Sequence, residues 1–250
     1  MNIEFNNLSL KLSNSQILDN VSGTIQKGKI TVILGENGAG KSSLLSLLTG
    51  IRDNDSGQIK IDGRDIKDLK PKERAKTIGY LSQRSEIHWD ISAQYLVGLG
   101  RFAHGDDNIE IIHDAMKKCD CYNLKDRIAN QLSGGEQSRV MLARVLAGEP
   151  QWIFADEPLA NLDPAHQLDA INIFKKAAKK GTGVVLVLHD LNISAQIADE
   201  IIILKNGRII AGGDAKEVLS KENIAKAYNV EVFETIGQGG EKIFVPIKRL

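Results

Sequence analysis

The 250-residue chain is 42% apolar and 26% charged, and its 32 basic residues balance its 32 acidic ones. Such a chain builds one large domain, or one domain with a subdomain, around a real core. Zero net charge removes any global pull towards nucleic acid, and the longest apolar runs, such as Val184–Leu188, are far too short to span a bilayer.

In chain order, Met1–Phe5 lacks the charged-then-apolar pattern of a secretory leader, so the protein is expected to stay in the cytoplasm. Leu8, Leu10 and Leu12 alternate with polar residues, as in a half-buried strand. Ile30–Leu34 is short, apolar and partly β-branched, and reads as a buried strand. Directly after it, Gly35-Glu36-Asn37-Gly38-Ala39-Gly40-Lys41-Ser42 matches the phosphate-loop pattern G-x-x-x-x-G-K-S/T in full. A helix-like stretch, Ser43–Leu48, follows, which completes the strand–loop–helix context the motif needs.

The chemistry follows from those residue types. Gly35, Gly38 and Gly40 let backbone N–H groups curl around phosphates, and the helix start adds partial positive charge. Lys41 can reach the β- and γ-phosphates, and Ser42 can ligand Mg²⁺. Asn37 and Ser43 complete the candidate phosphate contacts. A bound nucleoside triphosphate is expected.

Ile59–Gly63 and Ile201–Ile210 carry Asp-Gly and Asn-Gly turn signals and read as hairpins. The segment 84–131 differs from its surroundings. It has helical patterns at Ser92–Leu99 and Ile109–Lys118, with a break at Gly105-Asp106-Asp107, and reads as a helical insertion. Cys119 and Cys121 lack further metal ligands nearby and are expected to be reduced thiols on a helix. Leu132-Ser133-Gly134-Gly135-Glu136-Gln137 precedes a helix-like Ser138–Leu146, so its small residues can expose N–H groups to an anion. Trp152–Ala155 is an apolar strand that runs into Asp156 and Glu157. There, Asp156 can join a Mg²⁺ shell and Glu157 can act as general base. Val184–Leu188 is a further buried strand, so the strands and intervening helices imply a mainly parallel α/β sheet. From Ala215 onwards the chain reads as helices at Lys216–Leu219 and Asn223–Tyr228, a strand at Val230–Glu234, a turn at Gly237–Gly240 and a strand-like Ile243–Val245.

In this order, these strings resemble the ATP-binding subunit of ATP-binding-cassette (ABC) transporters over nearly the whole chain. Gln83, in Tyr80-Leu81-Ser82-Gln83, matches the family's Q-loop glutamine. Ala160-Asn161-Leu162-Asp163 matches the D-loop and His189 the switch histidine. The resemblance implies a phosphate-loop NTPase core over 1–83 and 132–250, an antiparallel β subdomain, and a helical subdomain at 84–131. It implies ATP and Mg²⁺ as ligands, with Ser42, Gln83 and Asp156 around the metal. Glu157 would activate water, and His189 would contact the γ-phosphate. It also implies a head-to-tail dimer, in which Ser133 and Gly135 of one copy face Lys41 and Ser42 of the other across each γ-phosphate, with Gly134 and Asp163 as further nucleotide contacts. Where the family usually stacks an aromatic on adenine, this chain has Leu12, which offers apolar contact but no π face. Leu159 and Ala160 stand where Thr and a small polar residue are common.

His189-Asp190-Leu191-Asn192, Val97–Arg101 and Asp163–Gln167 look like the importer ATPases for iron–siderophore complexes, haem and cobalamin. The implied partners are integral permease subunits and, indirectly, an extracytoplasmic substrate-binding protein. The implied place is the cytoplasmic face of the inner membrane. A soluble cassette ATPase acting on ribosomes or DNA is disfavoured by the single cassette, the neutral charge and the lack of sustained heptads in 84–131. A non-hydrolysing regulator is disfavoured by Glu157 and His189.

Overall fold

The computed structural model describes residues 2–83 and 87–250, so residues 84–86, the start of the expected insertion, lie outside the described residues. The chain divides into two compact units, residues 1–68 with 185–250, and residues 69–184.

The first unit opens with β1 (Asn2–Leu12) and β2 (Ser15–Gln26), an antiparallel pair joined by Ser13 and Asn14, both with positive φ. Ile3, Phe5, Leu8 and Leu10 of β1 are buried, so the alternation seen in the sequence is the inward face of this strand. The chain continues through β3 (Ile30–Leu34), buried at every position, and α1 (Lys41–Leu48), which buries four leucines. Next come β4 (Ser56–Ile61) and β5 (Arg64–Asp65). Strands β2, β1, β4 and β5 form one antiparallel sheet in that order. The β4–β5 turn uses Asp62 and Gly63 at φ 51° and 83°, the mirror-image turn that suits strand twist.

The second unit runs from α2 (Pro71–Thr77) into β6 (Ile78–Leu81). Three helices follow: α3 (Ala93–Gly98), α4 (Ile109–Lys118) and α5 (Gly134–Ala147), with both α3 and α4 packed on α5. Strand β7 (Trp152–Asp156) pairs in parallel with β6, and α6 (Pro164–Lys179) leads to β8 (Gly183–Val187), where the chain passes back to the first unit. The Gly98–Arg101 string has a packing cause. A Cβ on Gly100 would lie 2.2 Å from the carbonyl oxygen of Arg144 on α5, so only glycine lets the two backbones touch.

Back in the first unit come α7 (Leu191–Ile197), β9 (Glu200–Lys205), β10 (Arg208–Asp214), α8 (Ala215–Val218) and α9 (Lys221–Tyr228). The hairpin of β11 (Val230–Ile236) and β12 (Lys242–Arg249) ends it. Strand β3 pairs in parallel with β9, and β9 pairs antiparallel with β10 across the expected Asn206-Gly207 turn. Among the described residues, no helix is long and apolar enough to cross a membrane. The two cysteines differ from expectation in position. Cys119 caps the end of α4 and Cys121 follows it, and both are buried free thiols.

Candidate nucleotide site

In the first unit, the phosphate loop leaves the end of β3. Gly35 sits at φ +146°, and a Cβ there would lie 2.2 Å from the carbonyl oxygen of Leu204 on β9. Lys41 is buried, and its Nζ donates to the carbonyls of Gly35 and Glu36 at 2.8 and 2.9 Å. Asn37, Gly38 and Ser42 are exposed, and Ser43 is half-buried. The helix that follows starts on Gly40 with no side-chain cap and no acidic residue in its first turn. Its leading N–H groups and the positive end of its dipole are thus left for an anion. Leu12, the last residue of β1, is half-buried.

The same unit carries His189. Leu188 N–H donates to the carbonyl of Ile33 at 3.4 Å, which sets exposed His189 beside the strand that feeds the phosphate loop. Asp190 caps α7 by accepting from the N–H groups of Asn192 and Ile193 at 2.7 and 2.9 Å. Asn192 in turn accepts from Phe244 N at 2.7 Å and donates to Phe244 O at 3.3 Å. That bond pair ties the segment after His189 to the C-terminal hairpin.

In the second unit, β7 delivers buried Asp156 at its end. Glu157 follows at φ 51°, a left-handed backbone that a glutamate rarely adopts. Such strain concentrates at functional sites. Glu157 lines a cleft with Gln83, Gly134, Ser138, Pro158 and Asn161. The unit therefore gathers Gln83 and Glu157 beside the start of α5.

Ser133 and Gly134 are exposed at that helix start. Ser133 N–H donates to Glu136 at 2.8 Å and its hydroxyl accepts from Glu136 N at 3.4 Å, a full capping box. The Ser133 N–H, with lesser help from Arg127, holds the Glu136 carboxyl below its usual range. Asp163 caps α6, accepting from His166 N at 2.9 Å and pairing with His166 Nδ1 at 2.8 Å. Arg139 of α5 donates to His166 Nε2 at 2.7 Å. Arginine has no acceptor to offer, so His166 carries its proton on Nδ1. A chain of three side chains thus links Asp163, in the D-loop, to α5. Sequence reading took Asp163–Gln167 only as an importer marker and gave neither His166 nor Arg139 a role. It also missed Tyr228, whose hydroxyl accepts from Gly35 N at 2.9 Å.

A glycine-rich phosphate loop between a buried strand and an uncapped helix, in a parallel α/β framework, defines a phosphate-loop nucleotide-binding protein. The family model described as ABC transporter matches residues 18–160. The hemin import ATP-binding protein HmuV of Rhodococcus jostii is 39% identical over 225 residues, covering 87% of this chain and 77% of its own length. The petrobactin import ATP-binding protein YclP of Bacillus subtilis is 35% identical over 236 residues, covering 92% of this chain and 94% of its own. Among solved structures, an inward-facing metal-chelate type ABC transporter superposes with a TM-score of 0.84 at 24% identity, covering 98% of this chain and 97% of that one, and attests the fold. A dimeric cassette bound to ADP and phosphate superposes at 0.78 with 28% identity, covering 85% and 98%. The chain belongs to the ABC transporter family and is its ATP-hydrolysing subunit.

Proposed function

We propose that this chain, paired head-to-tail with a second copy, hydrolyses MgATP to power a permease that imports a chelated iron compound. One observation carries the cargo class. Relatives named for petrobactin and for hemin import both align over about nine tenths of this chain, and the shared chemistry is iron held in an organic chelate. We assign a siderophore complex as the cargo, in line with the petrobactin import relative, 35% identical over 92% of this chain. Haem is the second reading, favoured by the hemin import relatives.

In this reading Gly35, Asn37, Gly38, Gly40, Lys41, Ser42 and Ser43 hold the phosphates. The donor set Ser42, Gln83 and Asp156 offers hydroxyl, amide and carboxylate oxygens, the hard ligands that suit Mg²⁺. When bound, the metal would neutralise phosphate charge. Glu157 accepts a proton from the attacking water, and His189 donates to the γ-phosphate. The exposed start of α5, with Ser133, Gly134, Gly135 and Asp163, completes the partner copy's site. Donors brought to the γ-phosphate from both copies make closure depend on ATP. The segment 87–131 offers the permease the exposed apolar side chains of Phe102, Tyr95 and Leu99. These partners place the protein at the cytoplasmic face of the membrane, with a substrate-binding protein on the far side.

The test is growth of a deletion strain on iron supplied as siderophore, as haem or as free salt, and on cobalamin. Loss confined to siderophore iron supports the assignment. Loss confined to haem selects the second reading, and the absence of any uptake defect overturns the transport role.

A further inference from the structure

The phosphate loop is gripped from the C-terminal end of the chain. Gly35 is buried, and its N–H donates to the hydroxyl of Tyr228, the last residue of α9, at 2.9 Å. The carbonyl of the same residue accepts from Lys41 Nζ. Both polar groups of this one residue are therefore occupied, one by the C-terminal helix and one by the loop's own lysine. Next to it, Asn229 adopts a left-handed backbone at φ 53° and sends Nδ2 to Glu36 Oε1 at 3.4 Å. Asn229 Oδ1 also accepts from Lys205 Nζ at 3.1 Å. Burial pushes the Tyr228 hydroxyl up to about 12, so it stays neutral at every working pH.

The same C-terminal stretch is fastened a second time. The bond pair between Asn192 and Phe244 holds β12 to the helix that follows His189. All these contacts lie within one compact unit. They also lie outside the 18–160 region that the family model matches, apart from the loop itself.

We infer that Tyr228 is a positioning residue for ATP binding. Its hydroxyl orients the peptide that opens the phosphate loop, and with it the N–H groups that follow. The inference rests on the reading that Gly35–Ser42 holds the ATP phosphates. A group that shapes the loop acts on ground state and transition state alike, so its loss raises KM and leaves kcat nearly unchanged.

The experiment compares wild type, Tyr228→Phe and Lys41→Ala in the full chain. It measures MgATP Kd by calorimetry, kcat and KM, and thermal midpoint without nucleotide. Tyr228→Phe keeps the ring and removes only the acceptor. One neutral hydrogen bond predicts a rise of about fivefold in Kd and KM, with kcat held within about twofold. An unchanged Kd with a lowered midpoint would make Tyr228 a packing residue only and overturn the inference. If Tyr228→Phe does not fold, Asn229→Gly, which keeps the left-handed backbone and removes the side-chain bonds to Glu36 and Lys205, is measured the same way. A smaller rise in Kd supports the grip, and no rise overturns it. Lys41→Ala separates the two levels: wild-type ATP affinity there would overturn the phosphate-loop reading itself.

Discussion

Arg101 grips Asp106 with two parallel hydrogen bonds, Nε to Oδ1 at 2.8 Å and Nη2 to Oδ2 at 2.7 Å. Its remaining nitrogen donates to Glu149 at 2.7 Å and to the Ala147 carbonyl at 3.1 Å. The guanidinium is buried while both carboxylates stay largely open to water. One arginine thereby pins the loop after Gly100 to the end of α5.

That clamp sets an acid limit. The Arg101 hydrogen bonds, followed by the Asn108 N–H, hold the Asp106 carboxyl well below its usual range. Asp163 is also held down, chiefly by the His166 N–H. A carboxyl with a depressed folded value favours the folded state above its unfolded value of about 3.9, and that support disappears as pH falls through the folded value. The thermal midpoint is therefore expected to hold near neutrality and to drop below about pH 4. Arg101→Gln should flatten this acid slope, and differential scanning calorimetry across pH checks both.

Gly100→Ala should destabilise the fold by about 2–3 kcal/mol, because the new methyl meets rigid backbone rather than a flexible side chain. Chemical denaturation measures the loss. An unchanged midpoint would mean that α5 moves aside at little cost.

Glu157→Gln should retain ATP binding and lose turnover by at least about a hundredfold, since an amide cannot take the proton of water. ATP should then trap this variant as a dimer on size-exclusion chromatography. Near wild-type hydrolysis would remove Glu157 from the base role.

Leu12→Tyr should tighten ATP binding by about 1 kcal/mol through ring stacking, and tighten it less for a triphosphate with a smaller base. Competition binding against a fluorescent nucleotide reads the difference. Equal affinities for both proteins would place Leu12 away from the base.

Cys119 and Cys121 should resist thiol reagents until the protein unfolds. Burial pushes the Cys121 thiol up to about 12 and raises Cys119 as well, so almost no thiolate exists at neutral pH. Timed labelling with and without denaturant tests this, and rapid labelling of the native protein would contradict the burial.

Local chemistry was legible in the residues alone. The phosphate loop, the acidic end of β7, the two Asp/Asn-Gly hairpins and helix α4 at Ile109–Lys118 all follow from short-range rules of φ, periodicity and charge. The β1–β2 turn escaped notice, because Ser13-Asn14 is a weaker turn signal than Asn-Gly. Only the tertiary structure decided the long-range pairs. Gly100 touches Arg144, Asn192 meets Phe244, and Tyr228 reaches back 193 residues to Gly35. Each rests on one backbone or hydroxyl group reaching a distant partner, and such a group leaves no periodic trace in sequence. The family's motifs name the residues expected to meet phosphate. The packing of the C-terminal stretch decides which group meets the Gly35 N–H.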